Sequence, residues 1–218
     1  MSRDFALIWA HGDVLLYGLL NTVWLSVVAG ALSFAGGAFI ATGLVAKRRP
    51  ARWAARVLVD AMRCAPFLLF AYVIYYGLPS FGIRLSNWRS GLVALAIYNS
   101  AYMGEVLRGV WAELPRETIE AGHAFGFHGF TLLRRIVLPP VMEAATPLLG
   151  NQAIQIVKDS ALLTIIAVPE LTHAANSLAN TYFIPFLAFL AALALYWGVC
   201  LVIEGAVALA LRNAQAKR

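Results

Sequence analysis

Glu120-Ala121-Gly122-His123-Ala124-Phe125-Gly126, nine further residues, then Ile136-Val137-Leu138-Pro139: this stretch lies in the longest polar gap of an otherwise apolar chain. The segments on either side are built to cross a bilayer, so a structured polar insert between them is most simply a docking site for another protein. Of 218 residues, 61% are hydrophobic and 13% charged, and the mean hydropathy is +0.74. Soluble domains lie far from those values. The composition specifies an all-α, polytopic integral membrane protein, organised as a single domain over residues 1–218 with no room for a large soluble domain.

About five transmembrane helices are read from the apolar runs, over residues 14–46, 57–77, 92–111, 137–157 and 186–211, with a polar loop over about 112–136. A further apolar run, Ala161 to Val168, is too short to cross at 1.5 Å per residue and reads as a re-entrant or interfacial segment. The first run is long enough to imply tilt or a stretch outside the hydrocarbon. Ahead of it, Met1-Ser-Arg-Asp4 lacks a basic stretch, and the run is too long for the core of a cleavable signal, so the first span is expected to be retained. Cys64 and Cys200 lie in apolar runs without metal or redox spacing and read as small core residues.

Orientation follows from basic residues, which are retained on the cytoplasmic side when they lie near span ends. Lys47, Arg48, Arg49, Arg52 and Arg56 fill the first loop, Arg108, Arg116, Arg134 and Arg135 flank the polar loop, and Arg212, Lys217 and Arg218 close the tail. The other face carries Arg3, Arg84, Arg89 and Lys158. The N-terminus is therefore expected outside, with the C-terminus and the loop bearing Glu120 in the cytoplasm. The formal charge of +6 is accounted for by topology and anionic lipid headgroups, and no nucleic-acid partner is needed.

In the first span Thr22, Ser26 and Gly30 recur every fourth residue beside a row of Ala29, Ser33, Gly37 and Ala41. Small-residue rows let helix backbones approach closely in lipid, either within one chain or between subunits. The polar loop is too long for a structureless connection and should hold structure. Pro115 suits a first helical position, and Glu117 and Glu120 then complement the helix dipole. Gly122 and Gly126, four apart, are expected on one face, clearing bulk for an approaching surface. Gly126 permits a turn beside Phe125 and Phe127, read as exposed interface aromatics. From these residues alone, a docking elbow and a solvated hairpin with glycine helix stops remain equally open.

The pattern E-A-x-x-x-x-G, nine residues, I-x-L-P resembles the EAA loop of permease subunits in bacterial ABC importers, matched by Glu120, Ala121, Gly126, Ile136, Leu138 and Pro139. That family usually has alanine where this chain has Gly122. Nearly the whole chain is similar to the polar amino-acid subgroup, the histidine, glutamine and arginine permease type. The similarity runs through Gly18 with Thr22, Ala101-Tyr102 with Glu105 and Arg108-Gly109, Asn151-Gln152, Lys158-Asp159-Ser160 and Glu170-Leu171. Arg63-Cys64-Ala65-Pro66 stands where the subgroup has R-G-T-P, and Ala161 where a second serine is common. The resemblance implies that the loop, including Glu120, Ala121, Gly122, Phe125, Gly126, Phe127, Ile136, Leu138 and Pro139, is a coupling helix seated in a cleft of an ATP-binding subunit. ATP and Mg would be bound by a dimer of that partner, and no cofactor by this chain, whose sequence has no G-x-x-x-x-G-K-[ST]. It further implies a second permease subunit, identical or related, a periplasmic solute-binding protein, an amino-acid substrate or derivative, and the bacterial inner membrane. Nucleotide-driven closure would then switch the spans by rigid-body motion.

Charged groups within spans usually face a bundle interior or a water-filled cavity. Glu105 and Arg108, three apart, read as a self-neutralising pair, and Glu143 as a headgroup-snorkelling residue or a partner of Arg134 or Arg135. Asn151, Gln152 and Gln155 with Lys158, Asp159 and Ser160 gather amide, ammonium, carboxylate and hydroxyl groups before a broken apolar segment. They read either as a translocation path for a zwitterion or as a gate held by a Lys158–Asp159 ion pair. Arg63 either marks the end of the second span or is turned inward by a kink at Pro66. His11, His123, His128 and His173 lack metal-ligand spacing, and no catalytic residues or metal site emerge. A passive channel and a membrane-embedded enzyme built on Glu105, Glu143 and Asp159 are the competing classes.

Overall fold

A computed structural model describes residues 2–216. Lys217 and Arg218 of the basic tail lie outside the described residues, as does the side chain of Arg3. The described residues form helices α1 (Ser2–Ala10), α2 (Gly12–Leu44), α3 (Arg49–Cys64), α4 (Phe67–Tyr72), α5 (Asn87–Ala112), α6 (Arg116–Ala124), α7 (Gly129–Leu132), α8 (Leu138–Ser160), α9 (Leu171–Tyr182) and α10 (Pro185–Gln215), with no strand among them. Two helices, Gly12–Leu44 and Pro185–Ala214, are each long and apolar enough to cross a membrane. α5 carries Asn99, Glu105 and Arg108, and α8 carries Gln152 and Asp159.

Residues 57–77 are not one helix. α3 ends at Cys64, and the chain resumes helically at Phe67, with the pair Arg49–Cys64 and Phe67–Phe81 bent by 106°. Proline explains the break: Pro66 has no N–H to donate to the preceding turn and holds Ala65 extended at φ −86°, ψ 136°. Beyond α4 the helix widens into a π-type turn over Val73–Gly77. Of the two cysteines, Cys64 is exposed at this corner and Cys200 is half-buried, so neither is the core residue its surroundings suggested.

The row Ala29, Ser33, Gly37 and Ala41 is buried and forms the contact of α2 with α5. At Gly37 a β-carbon would stand 2.7 Å from Met103 Cβ and 2.9 Å from Gly104 N, so two backbones meet here. Ser33 Oγ donates across this seam to the Ala96 carbonyl at 3.2 Å. The other row divides. Gly18 faces Ala174 of α9, while Thr22 Oγ1 accepts from the Leu171 N–H at 3.0 Å. Ser26 and Gly30 border an apolar groove of about 750 Å³ between α2, α8 and α10. The first row and the Gly18–Thr22 end of the second therefore pack within the chain, with dispersion and polar contacts acting where hydrophobic exclusion does not.

The run 161–168, read as a re-entrant or interfacial segment, opens with a 3₁₀ stretch, Ala161–Ile166, closed by Ala167 in the left-handed region at φ +54°. It buries Leu163, Ile166 and Val168 in the main core with Leu25, Leu95 and Ile156. α9, which the apolar pattern does not mark, follows it and packs on α2 and α10.

Candidate functional site

α6 forms in the polar gap because Pro115 opens it without a wasted donor, at φ −56° and ψ 133°, one position earlier than expected. Its end is closed by a backbone motif. Phe127 N–H donates to the Gly122 carbonyl at 3.0 Å and Gly126 N–H to the His123 carbonyl at 2.9 Å, with Gly126 left-handed at φ +83°. This 6→1 and 5→2 pairing with glycine at the reversal is the Schellman closure, and it requires the residue that glycine is. The chain then turns into α7 and a π-type turn over Leu133–Val137 before α8.

The two glycines do not share a face. Gly122 is buried against its own chain, where a β-carbon would lie 2.6 Å from Leu132 Cδ1, whereas Gly126 lies beyond the helix with open space around it. The reversal at Phe125 and Gly126 ends the helical repeat, which is why four-residue spacing misleads here. Phe127 and Ile136 are half-buried, while Glu120, Ala121, Gly126, Leu138 and Pro139 are exposed. Phe125 is 82% exposed and Phe130, which the sequence reading passed over, 73%. Two bare aromatics flanking a rigid elbow are the kind of residue that anchors an interface.

A second polar region lies between α5 and α8. A cavity of about 350 Å³ is lined by Tyr98, Tyr102, Asn151, Gln152, Gln155 and Asp159. Gln152 Nε2 donates to Asn99 Oδ1, and Gln155 Nε2 to Asp159 Oδ1 at 2.8 Å. Asp159 Oδ2 is buried without a hydrogen bond of good geometry among the described residues. The tyrosines face one another at 3.3 Å between their hydroxyls, and Tyr98 also donates to the Ala65 carbonyl at 2.9 Å. Asn99, Tyr98 and Tyr102 escaped the sequence reading as cavity groups, although an asparagine in mid-span is costly enough to have marked the place.

The six polar residues read as one cluster separate on this helix. Lys158 is exposed and Asp159 buried, and no ion pair joins them among the described residues, because adjacent helical positions point about 100° apart. Ser160 turns its hydroxyl back to the Val157 carbonyl at 2.7 Å. Asn151, Gln155 and Asp159 remain, four residues apart on the cavity side. Arg63 is not among them: its Nη1 lies 4.0 Å from Glu105 Oε1. Glu105 is held by Arg108 through two bonds, Nε to Oε2 at 2.8 Å and Nη2 to Oε1 at 2.6 Å, as their spacing suggested. Beside them Leu44, Arg56, Val59 and Asp60 complete a smaller cavity of about 300 Å³.

Glu170 is fully buried and has a different task. It accepts from the N–H groups of Thr172 at 2.7 Å and His173 at 2.6 Å and from the Tyr196 hydroxyl at 2.6 Å. One carboxylate thus caps α9 and ties it to α10. Glu170→Ala orphans those donors and is expected to destabilise the fold by about 2 kcal/mol or more. Thermal unfolding in detergent reads the loss, Glu170→Gln, which keeps one of the two acceptor oxygens, is expected to fall between, and an unchanged melting curve for the alanine variant would remove the capping role.

Residues 33–213 match the profile of the binding-protein-dependent transport system inner membrane component family. A probable glutamine ABC transporter permease protein of Bacillus subtilis is 30% identical over 183 residues, spanning 84% of this chain and 85% of that relative. The glutamine transport system permease protein of Escherichia coli is 33% identical over 181 residues, spanning 79% and 80%. Among solved structures, a chain of an amino acid ABC transporter determined with histidines superposes with a TM-score of 0.89 at 26% identity, covering 98% of this chain and all of that one. With the profile running through α2, both polar regions and α10, the chain belongs to the binding-protein-dependent transport system inner membrane components.

Proposed function

We propose that this chain is the permease subunit of an ATP-driven importer that moves amino acids or their derivatives across a bacterial inner membrane. The elbow carries the reading. A short helix and a glycine-locked reversal, placed between α5 and α8 and seated on the core through Ile119 and Leu132, form a handle that holds two phenylalanines outward. An ATP-binding subunit dimer grips it through Glu120, Ala121, Phe125, Gly126, Leu138 and Pro139, while Gly122, Phe127 and Ile136 hold its shape from beneath. ATP and Mg belong to that partner. The basic loops place the handle and the C-terminus in the cytoplasm and the N-terminus outside, with five crossings, the second of them the corner-bent pair α3 and α4.

The solute passes the cavity between α5 and α8. Asp159 and the amides of Asn151 and Gln155 suit an ammonium and a polar side chain, and Tyr98 and Tyr102 supply aromatic walls. The relatives named for glutamine support an amino-acid cargo, handed over by a periplasmic binding protein. A second permease subunit, the same or related, completes the pathway. Among the competing classes, the membrane-embedded enzyme loses its footing because Glu105 is consumed by Arg108 and lies in a different cavity from Asp159. A passive channel has no use for the handle.

Reconstitution into vesicles with the ATP-binding and solute-binding subunits tests the reading. Uptake of a radiolabelled amino acid that requires ATP supports it, and uptake of equal rate without ATP would identify a channel. In the same assay Asp159→Asn is expected to slow uptake at least ~10-fold while sparing assembly, because the solute's ammonium loses an anionic hydrogen-bond partner, a loss of about 1.5 kcal/mol or more. Unaltered uptake would take Asp159 out of the path.

A further inference from the structure

His123 closes the last turn of α6 and His128 immediately precedes α7. Across the reversal their Nδ1 atoms lie 3.1 Å apart, with ring centroids 5.1 Å apart and planes tilted by 31°. Both rings are exposed. Their meeting is imposed by backbone: the Schellman closure on one side and Gly129 at φ +55° on the other fix where the two β-carbons stand. In water a shared proton between two exposed imidazoles contributes little, about 0.5–1.5 kcal/mol. A pair this well placed has a more productive use.

Two nitrogens bound to one Zn²⁺ at about 2.0–2.1 Å stand roughly 2.9 Å apart at a right angle and roughly 3.3 Å apart at the tetrahedral angle. The observed 3.1 Å lies between them. Imidazole suits zinc, copper and nickel, whereas calcium and magnesium demand oxygen ligands. We propose that His123 and His128 form a chelating site for a borderline divalent transition-metal ion of the Zn²⁺ or Ni²⁺ class. Chelation requires that the donating ring move its proton to Nε2 and that the exposed rings turn until both Nδ1 lone pairs meet at one point. No third His, Cys, Asp or Glu joins the pair among the described residues, so water completes the coordination and binding is weaker than at a four-ligand structural site. The bound ion staples the end of α6 to the start of α7 and stiffens the elbow. Resting on the docking role proposed for that elbow, metal occupancy slows coupled uptake.

Metal binding is measured first on the purified full chain without a polyhistidine tag, which needs no partner and so tests the site apart from the docking reading. Calorimetric titration with Zn²⁺ is expected to give one ion per chain, and the spectrum of added Cu²⁺ in electron paramagnetic resonance is expected to show nitrogen couplings from two imidazoles. His123→Ala and His128→Ala are each expected to weaken Zn²⁺ binding at least ~10-fold. Binding that is undetectable, or that survives both substitutions, overturns the proposal. In vesicles with the ATP-binding subunit, Zn²⁺ is expected to slow uptake by the unsubstituted chain and to leave the His128→Ala chain unaffected. Should the ion bind the pair yet leave uptake untouched, the site stands and the force-transmitting role of the elbow falls.

Discussion

Gly126→Arg is expected to abolish ATP-driven uptake while leaving the protein inserted, folded and assembled with its second permease. The residue stands at φ +83° with open space around it, so an arginine meets no neighbour in its own chain. What it meets is the conformational cost, about 1–2 kcal/mol for a side chain in the left-handed region. That cost falls on the closure of α6, where two backbone bonds depend on the reversal. The elbow then either loosens or presents a long cation between Phe125 and the partner surface, and both break the handle. Uptake should fall at least ~100-fold, the cost expected when a central anchor of an interface loses about 3 kcal/mol. ATP hydrolysis by the partner, no longer tied to the spans, should persist without responding to solute. Uptake at the normal rate would refute docking at this turn.

Gly37→Leu is expected to have the largest effect on stability. Here the α2 and α5 backbones touch, and the atoms that a new side chain would strike include Gly104 N and the β-carbon of Met103, neither of which can swing aside. Overpacking between helices usually costs about 1–3 kcal/mol, and a site with backbone on the far side belongs at the top of that range. Loss of the monodisperse peak on size-exclusion chromatography, or a melting temperature lowered by several degrees, is the expected outcome. Gly205→Leu on α10, where a β-carbon meets nothing, serves as the control and should behave as the unsubstituted chain. Equal behaviour of the two variants would mean that the α2 and α5 seam is less tight than its geometry says.

Apolar length was enough to find α2 and α10, and Pro115 with the acidic first turn was enough to find the start of α6 to within one residue. These are local signals, written in consecutive residues. The corner at Pro66 was legible as a kink but not as a change of direction beyond a right angle, because the amplitude depends on what α3 and α4 each pack against. α9 left no mark in the apolar pattern, since its place is set by Glu170, Thr22 and Tyr196, residues drawn from three distant parts of the chain. The same holds for the cavity. Composition gathered Asn151, Gln155 and Asp159, but a string of neighbouring letters cannot say that Lys158 faces away or that Ser160 bonds its own helix. Likewise Gly122 reads as a landing place for a partner until Leu132 and Ile136 are seen filling it. Side-chain direction at a helix end, where the 3.6-residue repeat stops, is the information that spacing alone omits.

The phenol of Tyr98 belongs to two structures at once, one wall of the polar chamber and the hinge at Ala65. A molecule lodging against that ring cannot push it aside without unfastening the Ala65 carbonyl at the end of the arginine-rich arm, where Arg63 reaches toward Glu105. On the proposed route, solute and arm would meet at one phenol.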